Sequence, residues 1–192
     1  MASRVGKLAL SASVGGLAVA AVALAGPLTA TARGSACNHF GKTAAQKLSH
    51  AQAERSIGCL VNRARHRHGL EHLESNGRLR RAAQKHTSYM KRHHCFSHNC
   101  RGEPSFVARL QRVHYIVNGL TRWRVGENIA WGAGSSGTPQ AIVRGWMHSP
   151  PHRANILSPA FRHVGVGFAQ GCPGDKRSDG GTYTTDFGMR ER

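Results

Sequence analysis

Acidic side chains are scarce. Asp and Glu number nine against 27 Lys and Arg, and the formal charge is +18 at pH 7. A hydrolase of the paired-carboxylate type needs two acids that meet. Glu127 has no evident acidic mate, and Asp186 lies in a strand pattern, so the sequence argues against that class. No Cys-x-x-Cys pair occurs among the five cysteines, which argues against a thiolate zinc site. No internal repeat is visible. Beyond the first stretch no long apolar run appears, which leaves one apolar segment to explain.

That segment is N-terminal. Arg4 and Lys7 form a basic start, residues 8–25 are small and apolar, and Ala30-Thr31-Ala32 resembles a cleavage site. Residues 1–32 therefore read as a signal peptide, rather than a retained anchor, and the mature chain as a soluble, secreted monomer. That mature chain is long enough for one domain with a proper core. All but two of the basic charges lie in it. They are spread over Arg63–Arg67, Arg78–Arg81, Lys91-Arg92 and beyond, so the charge draws the chain to polyanions without choosing one. A wall polymer, anionic lipid and extracellular nucleic acid all qualify, as does a merely solvated basic surface.

Export makes disulfides reasonable. Cys95 and Cys100 bracket Phe96-Ser97-His98-Asn99, and Cys37 and Cys59 could tie the N-terminus to the first helix. Cys172 is then left over. Other pairings remain open at this point.

Along the chain, residues 33–50 read as an irregular lead-in and 51–190 as the domain. Ile57, Leu60, Val61 and Ala64 share a helical face, with Gly69 beyond its end. Asn76 suits the cap of a second helix, with Leu79, Ala82, Ala83, His86 and Met90 on one side. His86 in that stripe reads as a buried histidine satisfied by a hydrogen bond. Residues 95–104 read as a loop, 105–113 as a short helix, 115–120 as extended, and 123–131 as loop or strand holding Glu127. Residues 133–137 read as a Gly/Ser linker. Thr138 caps a helix that Pro150 and Pro151 stop near Ser149, and a polar turn comes next. Val164, Val166 and Phe168 alternate with Gly165, Gly167 and Ala169, a strand whose glycine face admits a closely packed neighbour. A Gly-rich turn and residues 182–187 complete a hairpin. Helices first and a hairpin last give an α+β class.

Five motifs now stand in order: Phe96-Ser97-His98; Gly126-Glu127-Asn128-Ile129-Ala130; Trp146-Met147-x-Ser149-Pro150-x-His152-Arg153-x-Asn155-Ile156-Leu157; Val164-Gly165-Val166-Gly167; and Tyr183-Thr184-Thr185-Asp186-Phe187-Gly188. Together they resemble the CAP superfamily of cysteine-rich secretory proteins, antigen 5 and pathogenesis-related proteins, in its bacterial secreted branch. The resemblance runs from about Cys59 to Gly188. It implies an α–β–α sandwich with a small antiparallel sheet between helical layers. It also implies a cleft of two His and two Glu, which fall on His98, Glu127 and His152, with Ser149 where many eukaryotic members have the second Glu. Pro151 stands where the family more often has Gly.

The resemblance implies a binding or interaction module whose ligand is open. Members have been linked to lipid or sterol binding, divalent metals and, for a few, proteolysis. Two imidazoles and a carboxylate suit Zn²⁺ or another divalent ion, so His98, Glu127 and His152 are the candidate metal ligands. Ser149 is a poor ligand, and His148 beside it points about 100° away on a helix. A metal-dependent extracellular hydrolase is therefore the second reading. A polyanion-binding or nuclease-like protein is the third, since His148, Asn155 and His163 come in the order of a His-Asn-His nuclease without its hairpin-then-helix context. Trp146 reads as core, Asn155 as a turn cap, and Asn128 as a brace for Glu127 or the adjoining loop.

Overall fold

The computed structural model describes residue 37 and residues 40–174 and 179–192. The expected signal peptide lies outside the described residues.

A 3₁₀ turn at Ala45–Lys47 leads into α1 (His50–His66). Ser49 caps α1 through a capping box with Gln52, which satisfies two end groups of the helix at once. A two-residue strand β1 (Glu74–Ser75) precedes α2 (Gly77–Arg92), whose first amides bond Asn76 Oδ1. Ser105 caps α3 (Phe106–Arg112). Then come β2 (Arg122–Ala133), a 3₁₀ turn at Gly134–Gly137, and α4 (Pro139–His148) capped by Thr138. Helix α5 (Pro150–Ile156), β3 (His163–Gln170) and β4 (Gly180–Glu191) complete the order.

The four strands form one sheet in the order β1-β3-β4-β2. All pairs are antiparallel except the two-residue β1–β3 contact, which makes the sheet mixed. Helix α2 covers one face. It packs so closely on β3 that a Cβ at Gly165 or Gly167 would collide with the backbone of Leu79 or Ala83. The opposite face carries Val164, Val166, Phe168, Tyr183 and Phe187 into the main core, where α1 and α4 supply Ile57, Val61, Ile142 and Trp146. This is the expected α+β sandwich.

Four local expectations change. Residues 115–120 are turn and bend rather than extended, because Asn118-Gly119 turns the chain and Tyr115 is drawn beneath the sheet, its hydroxyl on His163 Nδ1 at 2.9 Å. Residues 134–137 form a 3₁₀ turn, not a plain linker. Both β2 and β4 run to twelve residues, longer than the expected segments. Most consequentially, the polar turn after Ser149 is a helix. Pro150 and Pro151 end α4 and begin α5 at its first positions, where a missing N–H costs nothing.

Both expected bridges are present, Cys37–Cys59 and Cys95–Cys100. Cys172 stays outside them, its thiol directed at Gly132 O at 3.6 Å. Cys37–Cys59 joins residues 22 apart, so its chain-entropy effect is about 3 kcal/mol. Urea unfolding of Cys59→Ser should show a loss near that size, and an unchanged midpoint would mean the bridge constrains nothing that unfolding releases.

Candidate functional site: a histidine cleft along the free edge of β2

Strand β2 pairs on one side only, so alternate backbone groups point away from the sheet. Two of its outward carbonyls are taken by the helices after it. Trp146 Nε1 donates to Ile129 O at 3.2 Å, and Asn155 Nδ2 donates to Glu127 O at 3.2 Å. Trp146 is thus core, as expected, with its N–H on the strand edge. Asn155 bonds across to β2 rather than capping a turn: its Nδ2 also reaches Asn128 Oδ1 at 2.9 Å. Asn128 Nδ2 in turn donates to His152 O at 3.0 Å. Asn128 therefore braces the α5 segment that carries His152.

Alternation puts Glu127 on the other face, toward α2. There Val125 and Ile129, two residues either side, enter two separate apolar clusters, one around Leu79 and Leu110, the other around Met90 and Cys100. Between those clusters lies a charged set. Arg109 Nη2 donates to Glu127 Oε2, and His98 Nδ1 donates to Glu127 Oε1 at 2.8 Å. Arg109 Nη1 donates to His98 O at 2.8 Å and lies 3.6 Å from Glu103 Oε2. The carbonyl and the ring of His98 are thus held by one ion pair, inside the loop that Cys95–Cys100 closes.

His86 is buried and bonds Glu103 Oε2 through Nδ1 at 2.7 Å, the core hydrogen bond expected of it, while its Nε2 has no hydrogen-bond partner among the described residues. Its Nε2 stands 3.9 Å from Glu127 Oε1. Burial lowers its pKa below the ordinary histidine value, outweighing the pull of Glu127 and Glu103. At pH 7 it is neutral, so the contact with Glu103 is a hydrogen bond rather than an ion pair.

The expectation that Glu127 lacks an acidic mate is overturned. Asp186 is its direct cross-strand partner, and in an antiparallel pair opposite residues share a face. Asp186 is fully buried, and an ionised Asp186 would find no donor for either oxygen. Burial, followed by the charge of Glu127, pushes its pKa well up. Burial without a donor therefore favours the protonated form of Asp186. Burial also pushes Glu127 up, but the His98 bond, the nearby His86 ring and the Arg109 guanidinium overcome it, and its pKa ends below the usual carboxylate value. Two adjacent carboxyls are pushed apart, one ionised and one neutral.

His152 turns Nδ1 to Ser149 Oγ at 2.9 Å. That hydroxyl makes no cap bond to α5. Burial and the charge of His98 lower the His152 pKa. The candidate zinc ligands His98, Glu127 and His152 do not form a coordination set in this arrangement. Arg109 and His98 occupy the two oxygens of Glu127, and among the described residues no three His, Cys, Asp or Glu side chains are placed to hold a metal ion. His148, Asn155 and His163 bond Arg144 O, the β2 edge and Tyr115, three separate partners.

The residues that sequence reasoning left out are Arg109, Glu103 and Asp186, with His86 placed only as a core residue. For Asp186 the alternation of 182–187 gave its face, but the strand register that sets it beside Glu127 is long-range.

Removing one partner of a buried ion pair costs about 3–5 kcal/mol. Arg109→Met should destabilise by that amount in urea and free the His98 loop to proteolysis; a loss under about 1 kcal/mol would remove Arg109 from this role. The pH dependence has two signs. The depressed pKa values of His86 and Glu127 give stability present at neutral pH and lost on acidification, first below the histidine range and then below the carboxylate range. The raised pKa of Asp186 acts oppositely, its cost growing with pH above the ordinary aspartate value. Asp186→Asn should therefore raise the Tm most at high pH, with the gain closing toward pH 4. A gain that shrinks as pH rises would contradict the raised pKa of Asp186.

The pattern of the CAP family, described as the cysteine-rich secretory protein family, matches residues 60–187. The Bacillus subtilis (strain 168) protein YkwD is 32% identical over 117 residues, which are 61% of this chain and 42% of that protein. The chain thus spans less than half the length of that relative. An extracellular protein containing an SCP domain from Bacillus anthracis has a solved structure with a TM-score of 0.57 and 30% identity, covering 72% of this chain and 40% of the other. An outer surface protein from Borrelia burgdorferi, at 18% identity and TM-score 0.56, shares the fold over 70% of this chain and 90% of its own. Family pattern, fold and sandwich topology agree: the chain belongs to the cysteine-rich secretory protein family.

Proposed function

We propose that the protein is an exported binding module whose ligand is recognised by His98 and His152 beside the edge of β2. The observation that carries this reading is the placing of Glu127. Its side chain is 2% exposed, while that of His98 is 49% exposed. General acid–base hydrolysis asks the carboxylate to reach a water or a substrate atom. Here it is sealed, and it orients an imidazole instead. With Nδ1 of His98 on a carboxylate, Nε2 remains for the outside, an acceptor when neutral and a donor when charged. Ser149 Oγ holds the ring of His152, and buried Asn128 braces that segment through His152 O. The cleft suits a ligand with hydrogen-bonding or anionic groups. The sealed carboxylate counts against the metal-dependent hydrolase, and the scattered partners of His148, Asn155 and His163 against a nuclease.

Export rests on the first 32 residues and on the extracellular relative from Bacillus anthracis. No described helix is long and apolar enough to cross a membrane.

Native mass spectrometry of untagged protein from culture medium tests the reading. Wild type should carry a bound small molecule that His98→Ala/His152→Ala lacks, with an N-terminus near Arg33. Equal loading of both proteins would remove the histidines from recognition. Calorimetry with Zn²⁺ at pH 7.5 should give no histidine-dependent binding; a site that His98→Ala abolishes would restore the metal reading.

A further inference from the structure

The charge spread along the sequence is gathered by α2 into one groove. Arg80, Arg81, Gln84, Lys85, Ser88 and Arg92 line an open concavity of about 430 Å³. At 1.5 Å per residue, Arg80 and Arg92 stand about 18 Å apart along the helix axis. The floor is fixed and neutral. Gln84 donates to Phe168 O at 2.9 Å and accepts from Phe168 N at 3.0 Å, where β3 has no neighbouring strand beyond the short β1. Gln84 also donates to Ser88 Oγ at 3.1 Å. The walls are cationic. Among the described residues, Arg80 has one carboxylate, Glu54 at 3.7 Å, and Arg81, Lys85 and Arg92 have none within 4.0 Å. All four cations are exposed.

Like charges this dense on one exposed surface are unfavourable to the fold, and among the described residues only Glu54, beside Arg80, offsets them. The helix's stability comes from its other side, where Leu79, Ala82, Ala83, His86 and Met90 are buried. The outer side is free to serve something else.

We infer that this groove docks a linear, non-aromatic polyanion, a polymer of repeating phosphodiesters such as a bacterial wall carries. Its length admits several successive phosphates, and three guanidiniums and an ammonium supply charge-assisted donors for them. Two rival occupants fit less well. Single-stranded nucleic acid is held by bases stacked on aromatic rings, and no aromatic lines the groove. A membrane surface calls for apolar side chains beside the cations, and those lining this groove are polar or charged. The surface is distinct from the histidine cleft, none of whose residues line it, so either assignment can fail without the other.

The test is binding of the full mature chain to poly(glycerol phosphate), against a dT oligomer and phosphatidylglycerol vesicles at equal phosphate, over a range of salt. Wild type should bind the polymer most tightly. The variant Arg80→Gln/Arg81→Gln/Arg92→Gln should lose at least about tenfold in affinity and flatten the log–log salt slope by roughly 2. Arg101→Gln/Arg112→Gln/Arg144→Gln removes the same charge elsewhere on the exposed surface and should lose less than about threefold. His98→Ala should bind the polymer as wild type does. Equal losses in the two triple variants would show diffuse attraction and overturn the groove. Tighter binding of the oligomer or vesicles, or no binding of the polymer, would overturn the occupant.

Discussion

The buried pair of Arg109 and Glu127 is the constraint on which the site side of the sandwich depends. An isolated charge in that interior would be prohibitively costly, so each partner commits the other. The pair joins α3 to β2 across 18 residues of chain. Arg109 extends the commitment to the His98 loop through a carbonyl, and Glu127 extends it through the ring. Glu103 and His86 add α2. Four successive segments are therefore tied together around one ionic contact, and a short disulfide then has only to hold the loop between two points already fixed.

Strand β2 works on both sides at once. Its α2-facing side chains carry the charged set between two apolar clusters. Its other face and outer edge carry Asn128, Gly126 and the carbonyls that Asn155 and Trp146 engage. A side chain at Gly126 would strike Asn155 and Phe161, so glycine there lets α5 approach. The candidate site is in this sense a property of an edge: Glu127 holds His98 on one face of β2, and Asn128 and Asn155 hold the α5 segment of His152 on the other.

Much of this was legible in the sequence, because local signals carried it. Asn76 and Thr138 cap the helices they precede, the glycines of β3 mark the approach of α2, and both disulfides join the cysteines whose spacing suggested them. What sequence reasoning missed is long-range. Arg109 is one of 27 basic residues and nothing local separates it from the rest. Asp186 became the partner of Glu127 through strand register, which links positions 59 apart only once β2 and β4 pair. The Pro150-Pro151 pair was read for what it ends and not for what it begins.

The outward carbonyls of β2 bear on a different matter, the company the protein keeps. A twelve-residue strand with an open side is a template on which another copy could add its own strand, and sheets grow into fibres in that way. At Glu127 and Ile129 the acceptors such a newcomer would need are already engaged by an indole and a carboxamide of the same chain. Trp146 and Asn155 thereby also guard the middle of this strand's open edge against self-association.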